Sequence, residues 1–268
     1  MPFQNRIMKL SEITSLIEQF APLAWQASYD NSGLVVGHPD QEVEAVLLAV
    51  DVTEEVIAEA VERGCGLIIT HHPIIFHPLK RLNFASQVER CVELAIRHGI
   101  ALYACHTNLD SAPDGMSYRL AAMLGVENCK VLEPTTSDEA VGFGVVGELA
   151  DPQPTVAYLE RVREVLGCRC IRHSRIASDV VRRVAICTGS GGSMISLAQR
   201  AGADLYITAD LKYNDFMTPE RGLTVADVGH FESEYCAIEI LFEILSKKLC
   251  TFAVLRSNAT RNPINYLV

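Results

Sequence analysis

The chain has 268 residues, 49% of them hydrophobic, and a formal net charge of −10 at pH 7. This size suits one large or two modest globular domains, and no apolar run approaches the ~18 residues that a membrane-spanning helix needs. The acidic charge argues against binding to nucleic acid, which depends mainly on clustered lysine and arginine, but it leaves room for a small anionic substrate.

The N-terminal segment and the nine cysteines bear on the cellular location of the protein. The first twenty residues lack a compact apolar segment followed by a small-residue cleavage site, which predicts that there is no export signal. The cysteines lie mainly in apolar stretches, and no pair has zinc-finger spacing, which is typical of reduced thiols. We therefore expect a cytoplasmic protein.

Helical and strand patterns alternate along the first half of the chain. Thr53 is suited to begin a helix as its N-cap, and Gly64 is suited to end it. The alternation is typical of an α/β fold with a largely buried, mostly parallel sheet. The predicted elements are helix 10–20, strand 45–51, helix 53–64, strand 66–70, helix 86–99 and strand 100–105.

The second half returns to the same alternation after a predicted antiparallel strand over 142–149. Possible domain seams lie near 126–134 and near 228. The remaining predicted elements are helix 154–167, strand 182–188, helix 193–202, strands 204–208 and 223–228, and a long helix over 232–248.

An internal repeat relates the two halves. A shift of 138 positions places the first strand–helix–strand unit on the second without a gap, and a shift of 124 places His106 on His230 and Asp110 on Glu234. Each half therefore has a histidine just beyond a strand and a carboxylate four residues later. We infer two related α/β units, with chance similarity as the alternative. The pairs matched by the longer shift include Val46 and Val184, Ala60 and Ala198, Gly64 and Gly202, Leu67 and Leu205, and Thr70 and Thr208.

Histidines and carboxylates follow the predicted strands where those strands end. His71 and His72 follow strand 66–70, Asp110 follows strand 100–105, and His230 and Glu234 follow strand 223–228. Ligands collect at the carboxyl ends of strands in α/β sheets, so we expect these side chains to bind a divalent metal. Imidazole suits Zn, Fe, Ni or Co, and carboxylate oxygen also suits Mn.

Two adjacent histidines favour two metal ions over one. Successive side chains leave an extended backbone in different directions, so His71 and His72 serve neighbouring ions better than they serve a single ion. We predict a dinuclear centre in which His72 and Asp110 bind one ion, His71 and His230 bind the other, and Glu234 bridges both.

Two further features each have two interpretations. His106 either lies at the metal centre, where it orients a ligand or transfers a proton as Glu234 would, or is a histidine of the core. The stretch CTGSGGS (187–193) either binds an anion at the start of a helix or forms a tight turn that requires glycine. The candidate anion-binding residues are Ser190, Gly191, Gly192 and Ser193.

Five short stretches together resemble the NGG-interacting-factor-three-like family, whose bacterial members are often labelled GTP cyclohydrolase 1 type 2 homologues. The stretches are ITHHP, CHTNLD, YDNSGLVVG, CTGSGG and GHFESE. The resemblance implies that the family's metal ligands correspond to His71, His72, Asp110, His230 and Glu234.

The resemblance also implies a domain organisation and an assembly. It implies two interleaved α/β domains with mixed, mostly parallel sheets, and we place them at residues 1–128 with 229–268 and at residues 129–228. The chain is too short between Lys130 and Arg182 for the inserted middle domain that some members carry. The implied assembly is a toroidal homohexamer whose metal sites face an inner cavity.

The preferred functional hypothesis is a metal-dependent hydrolase, because a bound divalent ion lowers the pKa of water to roughly 7. The family label implies hydrolytic opening of the guanine ring of GTP, and phosphoester or amide hydrolysis would use the same residues. The alternative is a non-catalytic metal-binding or regulatory interaction protein. The apolar positions of helix 232–248 suit either a partner surface or packing on its own domain.

Overall fold

The computed structural model of the protein describes residues 7–267, with the backbone alone for residues 218–221. Residues 1–6 and 268, which the predicted first domain includes, lie outside the described residues. Within the described part, no helix combines the length and the apolar character that crossing a membrane requires.

Strands and helices alternate through most of the described chain. Helix 10–20 is found with the predicted ends, the predicted helix 232–248 is found as two helices, and the other predicted elements are found with shifted ends. The strands are β1 (Met8–Lys9), β2 (Gly33–Val36), β3 (Glu42–Val43), β4 (Ala45–Ala49), β5 (Leu67–Thr70), β6 (Ala101–Ala104), β7 (Val126–Pro134), β8 (Gly142–Pro154), β9 (Arg172–His173), β10 (Val180–Ser190), β11 (Leu205–Ala209), β12 (Thr224–Asp227) and β13 (Ala253–Arg256). The helices are α1 (Leu10–Phe20), α2 (Glu54–Glu62), α3 (Gln87–Arg97), α4 (Thr107–Ser111), α5 (Met116–Met123), α6 (Thr155–Leu166), α7 (Ile195–Arg200), α8 (His230–Glu234) and α9 (Cys236–Lys248).

The chain divides into two compact units, and each is built from separate stretches. One is Met1–Leu109 with Ala237–Arg261, and the other is Asp110–Cys236 with Asn262–Val268. The predicted limits, after residues 128 and 228, fall at other positions. The reason is that α5 contacts strands β7, β8 and β10 of the second unit, while α8 contacts β10 and β11.

The first unit contains a mostly parallel five-stranded sheet in the order β13-β4-β5-β6-β2. Only β2 pairs antiparallel in it. Strands β4, β5 and β6 are buried along their whole length, which explains their continuous apolar sequences. The Thr53 hydroxyl accepts a hydrogen bond from the Val56 N–H and begins α2, and Gly64 follows the helix with a φ of 66°, as predicted.

The second unit contains a mixed six-stranded sheet in the order β7-β8-β10-β11-β12-β9. Strands β10, β11 and β12 are parallel, and the three flanking pairings are antiparallel. The sheet is less parallel than predicted because β7 and β8 form a long hairpin. The sequence of β7 indicates a domain seam instead of a strand, since its alternation of exposed and half-buried residues is irregular.

Strand register supports the internal repeat. Val46 pairs with Leu67 between β4 and β5, and Val184 pairs with Leu205 between β10 and β11. Each residue of the second pair lies 138 positions after its equivalent in the first pair, which is the shift that relates the two sequences. The two units therefore contain equivalent parallel strands with equivalent carboxyl ends.

The predicted long helix over 232–248 begins earlier and is interrupted. Helix α8 starts at His230, a turn at Tyr235 separates it from α9, and α9 continues to Lys248. The apolar residues of α9 are buried within the chain, so this helix packs on its own protein. They include Ala237, Ile238, Ile240, Leu241 and Leu245.

Candidate metal centre

Three histidines converge in the first unit at the carboxyl ends of adjacent strands. His71 and His72 follow β5, and His106 follows β6, which pairs parallel with β5. One ring nitrogen from each lies within 4.8 Å of the others, and the ring centroids are 5.0–5.4 Å apart. His71 is fully buried and the other two are half-buried. This arrangement favours the interpretation of His106 as a member of the group.

Each of these rings directs Nδ1 at an oxygen. A carbonyl or an ionised carboxylate can only accept a hydrogen bond, so Nδ1 carries the proton. In the neutral ring, Nε2 then carries the lone pair that a metal requires. The acceptors are the Cys105 carbonyl for His71 at 2.9 Å, Asp51 Oδ1 for His72 at 2.8 Å, and Asp30 Oδ1 for His106 at 2.8 Å.

Asp30 is the most heavily hydrogen-bonded of these acceptors, and its side chain is fully buried. Besides His106, it accepts hydrogen bonds from the backbone N–H groups of Asn31 and Thr107 and from the hydroxyls of Ser32 and Thr107. Burial alone would raise the pKa of Asp30, but the hydrogen bonds from His106 and Thr107 outweigh it and hold that pKa well below its usual range. Residues 30–32 (DNS) therefore stabilise the conformation of the CHTNLD stretch through hydrogen bonds.

The second unit holds a histidine–carboxylate group on α8. His230 Nε2 lies 2.9 Å from Glu234 Oε2, and His230 Nδ1 lies 2.7 Å from Asp210 Oδ2. The early start of α8 places His230 and Glu234 one turn apart on the same face. Burial lowers the pKa of His230, but the hydrogen bonds and charges of Glu234 and Asp210 outweigh it and raise that pKa to about 9.

Asp110 lies on α4, half-buried, and belongs to the second unit. Burial raises the pKa of Cys187 and of Cys236 to about 12, and the charges of Asp110 and Glu234 contribute to both shifts. The two carboxylates therefore lie near the same pair of buried thiols. A thiol with such a pKa is protonated at neutral pH and is a poor metal ligand.

The donors fit a divalent metal of the borderline class. They comprise imidazole nitrogens and carboxylate oxygens, which suit Zn, Fe, Mn, Ni or Co. The oriented Nε2 atoms in the first unit are the arrangement that metal-binding histidines usually have. The described residues therefore include groups of histidine and glutamate that could hold a metal, as the sequence led us to expect.

The predicted anion-binding stretch joins β10 to α7. Ser190 and Ser193 are exposed, Gly191 is buried and Gly192 is half-buried. The Gly191 carbonyl accepts hydrogen bonds from the Tyr206 hydroxyl at 2.8 Å and from the Met194 N–H at 3.0 Å. These bonds are those of a tight turn, and anion binding stays a prediction.

Sequence reasoning singled out the histidines and acids, but it missed the role of Asp51 and the link from Asp30 to His106. Asp30 and His106 are 76 positions apart, and Asp51 and His72 are 21 apart. The available signal was the position of Asp51 two residues after strand 45–49, at the same sheet edge as His72.

Known proteins are similar to this chain in sequence and in fold. The sequence model of Duf34/NIF3 (NGG1p interacting factor 3) matches residues 8–263. A GTP cyclohydrolase 1 type 2 homolog from Clostridium perfringens is 34% identical over 244 residues, covering 90% of this chain and 93% of that protein. One from Streptococcus pneumoniae is 34% identical over 272 residues, covering 97% and 100%. The crystal structure of a Bacillus cereus protein related to NIF3 matches with a TM-score of 0.90 at 25% identity, covering 98% and 100%. The chain therefore belongs to the Duf34/NIF3 (NGG1p interacting factor 3) family.

Proposed function

We propose that this protein binds two divalent metal ions per subunit and uses them in a hydrolytic reaction. The observation that carries the proposal is the convergence of three imidazole nitrogens within 4.8 Å, with each Nδ1 held by an oxygen. Family membership supports extending the ligand set to the second unit. The proposed ligands are His71, His72, Asp110, His230 and Glu234.

Different residues of the chain would have different roles in such a reaction. Bound divalent ions supply Lewis acidity and acidify water. Asp51 holds the ring of His72 with Nε2 as the donor, and Asp30 does the same for His106. Glu234 is the proposed proton acceptor, and Asp210, at 2.7 Å from His230 Nδ1, holds the ring of His230 with Nε2 as the donor. His106, whose ring Asp30 holds beside His71 and His72, is proposed both as a further ligand and as the second proton carrier.

The substrate we propose is a small anionic molecule, with GTP as the first compound to test. The names printed for the relatives from Clostridium perfringens and Streptococcus pneumoniae support this choice. In the proposal, the backbone N–H groups of Ser190, Gly191, Gly192 and Ser193 bind its anionic group. Exposed Ser190 and Ser193 leave that turn open to a ligand.

The test is turnover of a nucleotide and ester panel by metal-loaded protein, together with variants His72→Ala and Glu234→Ala. We expect both variants to lose at least about a hundredfold in kcat/KM, because each removes a proposed ligand. His38→Ala, which changes an exposed histidine of the first unit, is the matched control and should retain full activity. Equal trace activity in all four proteins would contradict the hydrolase proposal.

A non-catalytic role in metal binding or regulation is the second candidate, and a homohexamer is proposed in either case. The loop between β5 and α3 exposes Phe76, Leu79, Leu82 and Phe84, which are 38–49% exposed. Apolar side chains exposed together favour contact with another protein surface. Mass photometry should give six chains per particle. Metal uptake with unchanged nucleotides and esters would favour the non-catalytic role.

A further inference from the structure

Gly189, in the CTGSGG stretch, lies against the carboxylate of Glu234. It lies near the end of β10 with a φ of 62°, in the left-handed region that favours glycine. A Cβ atom added there would lie 2.1 Å from Glu234 Oε1, 3.1 Å from Glu234 Cδ and 3.5 Å from His230 Cε1. Any side chain at this position would therefore occupy the space of the acid.

Hydrogen bonds on both sides hold the Gly189 backbone in place. Its N–H donates to Ser233 Oγ at 2.9 Å, and the Ser233 hydroxyl donates to the His230 carbonyl at 2.8 Å. The Gly189 carbonyl accepts a hydrogen bond from the Thr208 hydroxyl at 3.1 Å. These bonds fasten the strand to α8 on one side and to β11 on the other. An added methyl group would therefore displace the Glu234 carboxylate before it displaced the strand.

Glu234 has little room in which to move. It is 3% exposed, and Oε2 contacts His230 Nε2 at 2.9 Å. The same stretch does not crowd the acid elsewhere, because a Cβ at Gly191 would meet Thr208 Oγ1 at 2.2 Å and the Tyr206 hydroxyl at 2.4 Å instead. The contact with Glu234 is thus specific to Gly189.

We infer that Gly189 is a positioning residue that fixes the carboxylate of Glu234 beside His230. The inference rests on the proposed function in so far as Glu234 is a metal ligand. It gives the CTGSGG stretch a role that neither an anion site nor a turn alone accounts for: the missing side chain at position 189 makes space for the acid.

The chain offers a matched control in Gly202. Its φ is 72°, close to that of Gly189, and no described atom lies within 4 Å of a Cβ added there. Gly202→Ala therefore destabilises the left-handed backbone conformation, but its added Cβ contacts no other described atom. Comparing it with Gly189→Ala isolates the effect on Glu234.

The experiment is a titration of each metal-free protein with Co²⁺, followed by the visible absorption of the bound ion. We expect Gly189→Ala to weaken Co²⁺ binding at least about tenfold and to change the absorption spectrum, and Gly202→Ala to match the wild type. Glu234→Asp shortens the acid by one methylene, so the double variant Gly189→Ala/Glu234→Asp should bind like Glu234→Asp alone. Additive losses in the double variant, or equal losses in the two glycine variants, would overturn the inference.

A crystal structure of each metal-free glycine variant separates this inference from the proposed function. If the wild type takes up no Co²⁺, the proposed function fails, and the His230–Glu234 contact decides the role of Gly189. Loss of the 2.9 Å contact in Gly189→Ala, with its retention in Gly202→Ala, would support positioning. Retention of the contact in both variants would overturn it.

Discussion

The substitution Asp30→Asn tests how the first unit prepares its histidines for a metal. Asp30 Oδ1 accepts hydrogen bonds from His106 Nδ1 and the Asn31 N–H, and Oδ2 accepts from the Thr107 N–H. An amide offers one oxygen, so whichever way it is turned, an NH₂ group faces a donor. If NH₂ faces His106, the ring must move its proton to Nε2 and loses the lone pair for the metal. If NH₂ faces Thr107, a buried N–H loses its acceptor.

The expected loss follows from these contacts. A hydrogen bond to a charged group contributes about 1.5–3 kcal/mol, and removal of the acceptor behind a ligating histidine lowers metal affinity roughly 10- to 100-fold. We therefore expect Asp30→Asn to raise the Kd for Zn²⁺ or Co²⁺ by that factor, or about 1.4–2.7 kcal/mol.

The assay is a competition titration with a chromophoric chelator, which reports the Kd directly. Asp40→Asn is the control, because Asp40 is an exposed carboxylate of the same unit that pairs with Lys9. An Asp30→Asn protein that folds and binds metal as tightly as the wild type would refute the reasoning, and so would an equal loss in the Asp40 variant.

Three further results are expected. The pKa of His230, raised to about 9 in the metal-free protein, makes a proton compete with the metal, so affinity should rise by up to about tenfold per pH unit and level off near pH 9 in calorimetric titrations. Removal of metal with a chelator should lower the Tm, since a ligand at a thousand times its Kd stabilises the folded state by about 4 kcal/mol. Burial raises the pKa of Glu59, but hydrogen bonds from residues 257–259 outweigh that effect and lower the pKa to about 2. Glu59→Gln should therefore reduce the free energy of unfolding by about 2 kcal/mol at pH 7. That difference should disappear as the pH falls from 4.5 to 2, because the carboxylate is then protonated in the folded protein. Urea unfolding measures the effect, and the control Glu62→Gln, which changes an exposed acid of the same helix, should leave the free energy of unfolding unchanged.

The sequence predicts most of the parallel core because that core has local signals. Strand β5 is a short apolar run that ends at two histidines, and α2 is marked by a capping Thr53 and a following Gly64. The carboxyl-end rule of α/β sheets then brings His72 and His106 together without further information. These features depend on hydrophobic periodicity and strand order, and both can be recognised in a single sequence.

The remaining features depend on packing across many positions. The hairpin of β7 and β8 was missed because β7 faces solvent along much of its length and lacks clear alternation. The hydrogen bond between Asp30 and His106, and the close approach of Gly189 to Glu234, join residues that are 76 and 45 positions apart. No local pattern marks such pairs, so they emerge only from the folded structure.

The most direct test of a two-metal centre is a crystal structure of metal-loaded protein with anomalous diffraction measured on both sides of the metal absorption edge. We predict two anomalous peaks per subunit, with His71, His72 and Asp110 among the ligands of the pair and Glu234 between the ions. A single peak, or peaks that none of these side chains contact, would contradict the dinuclear centre.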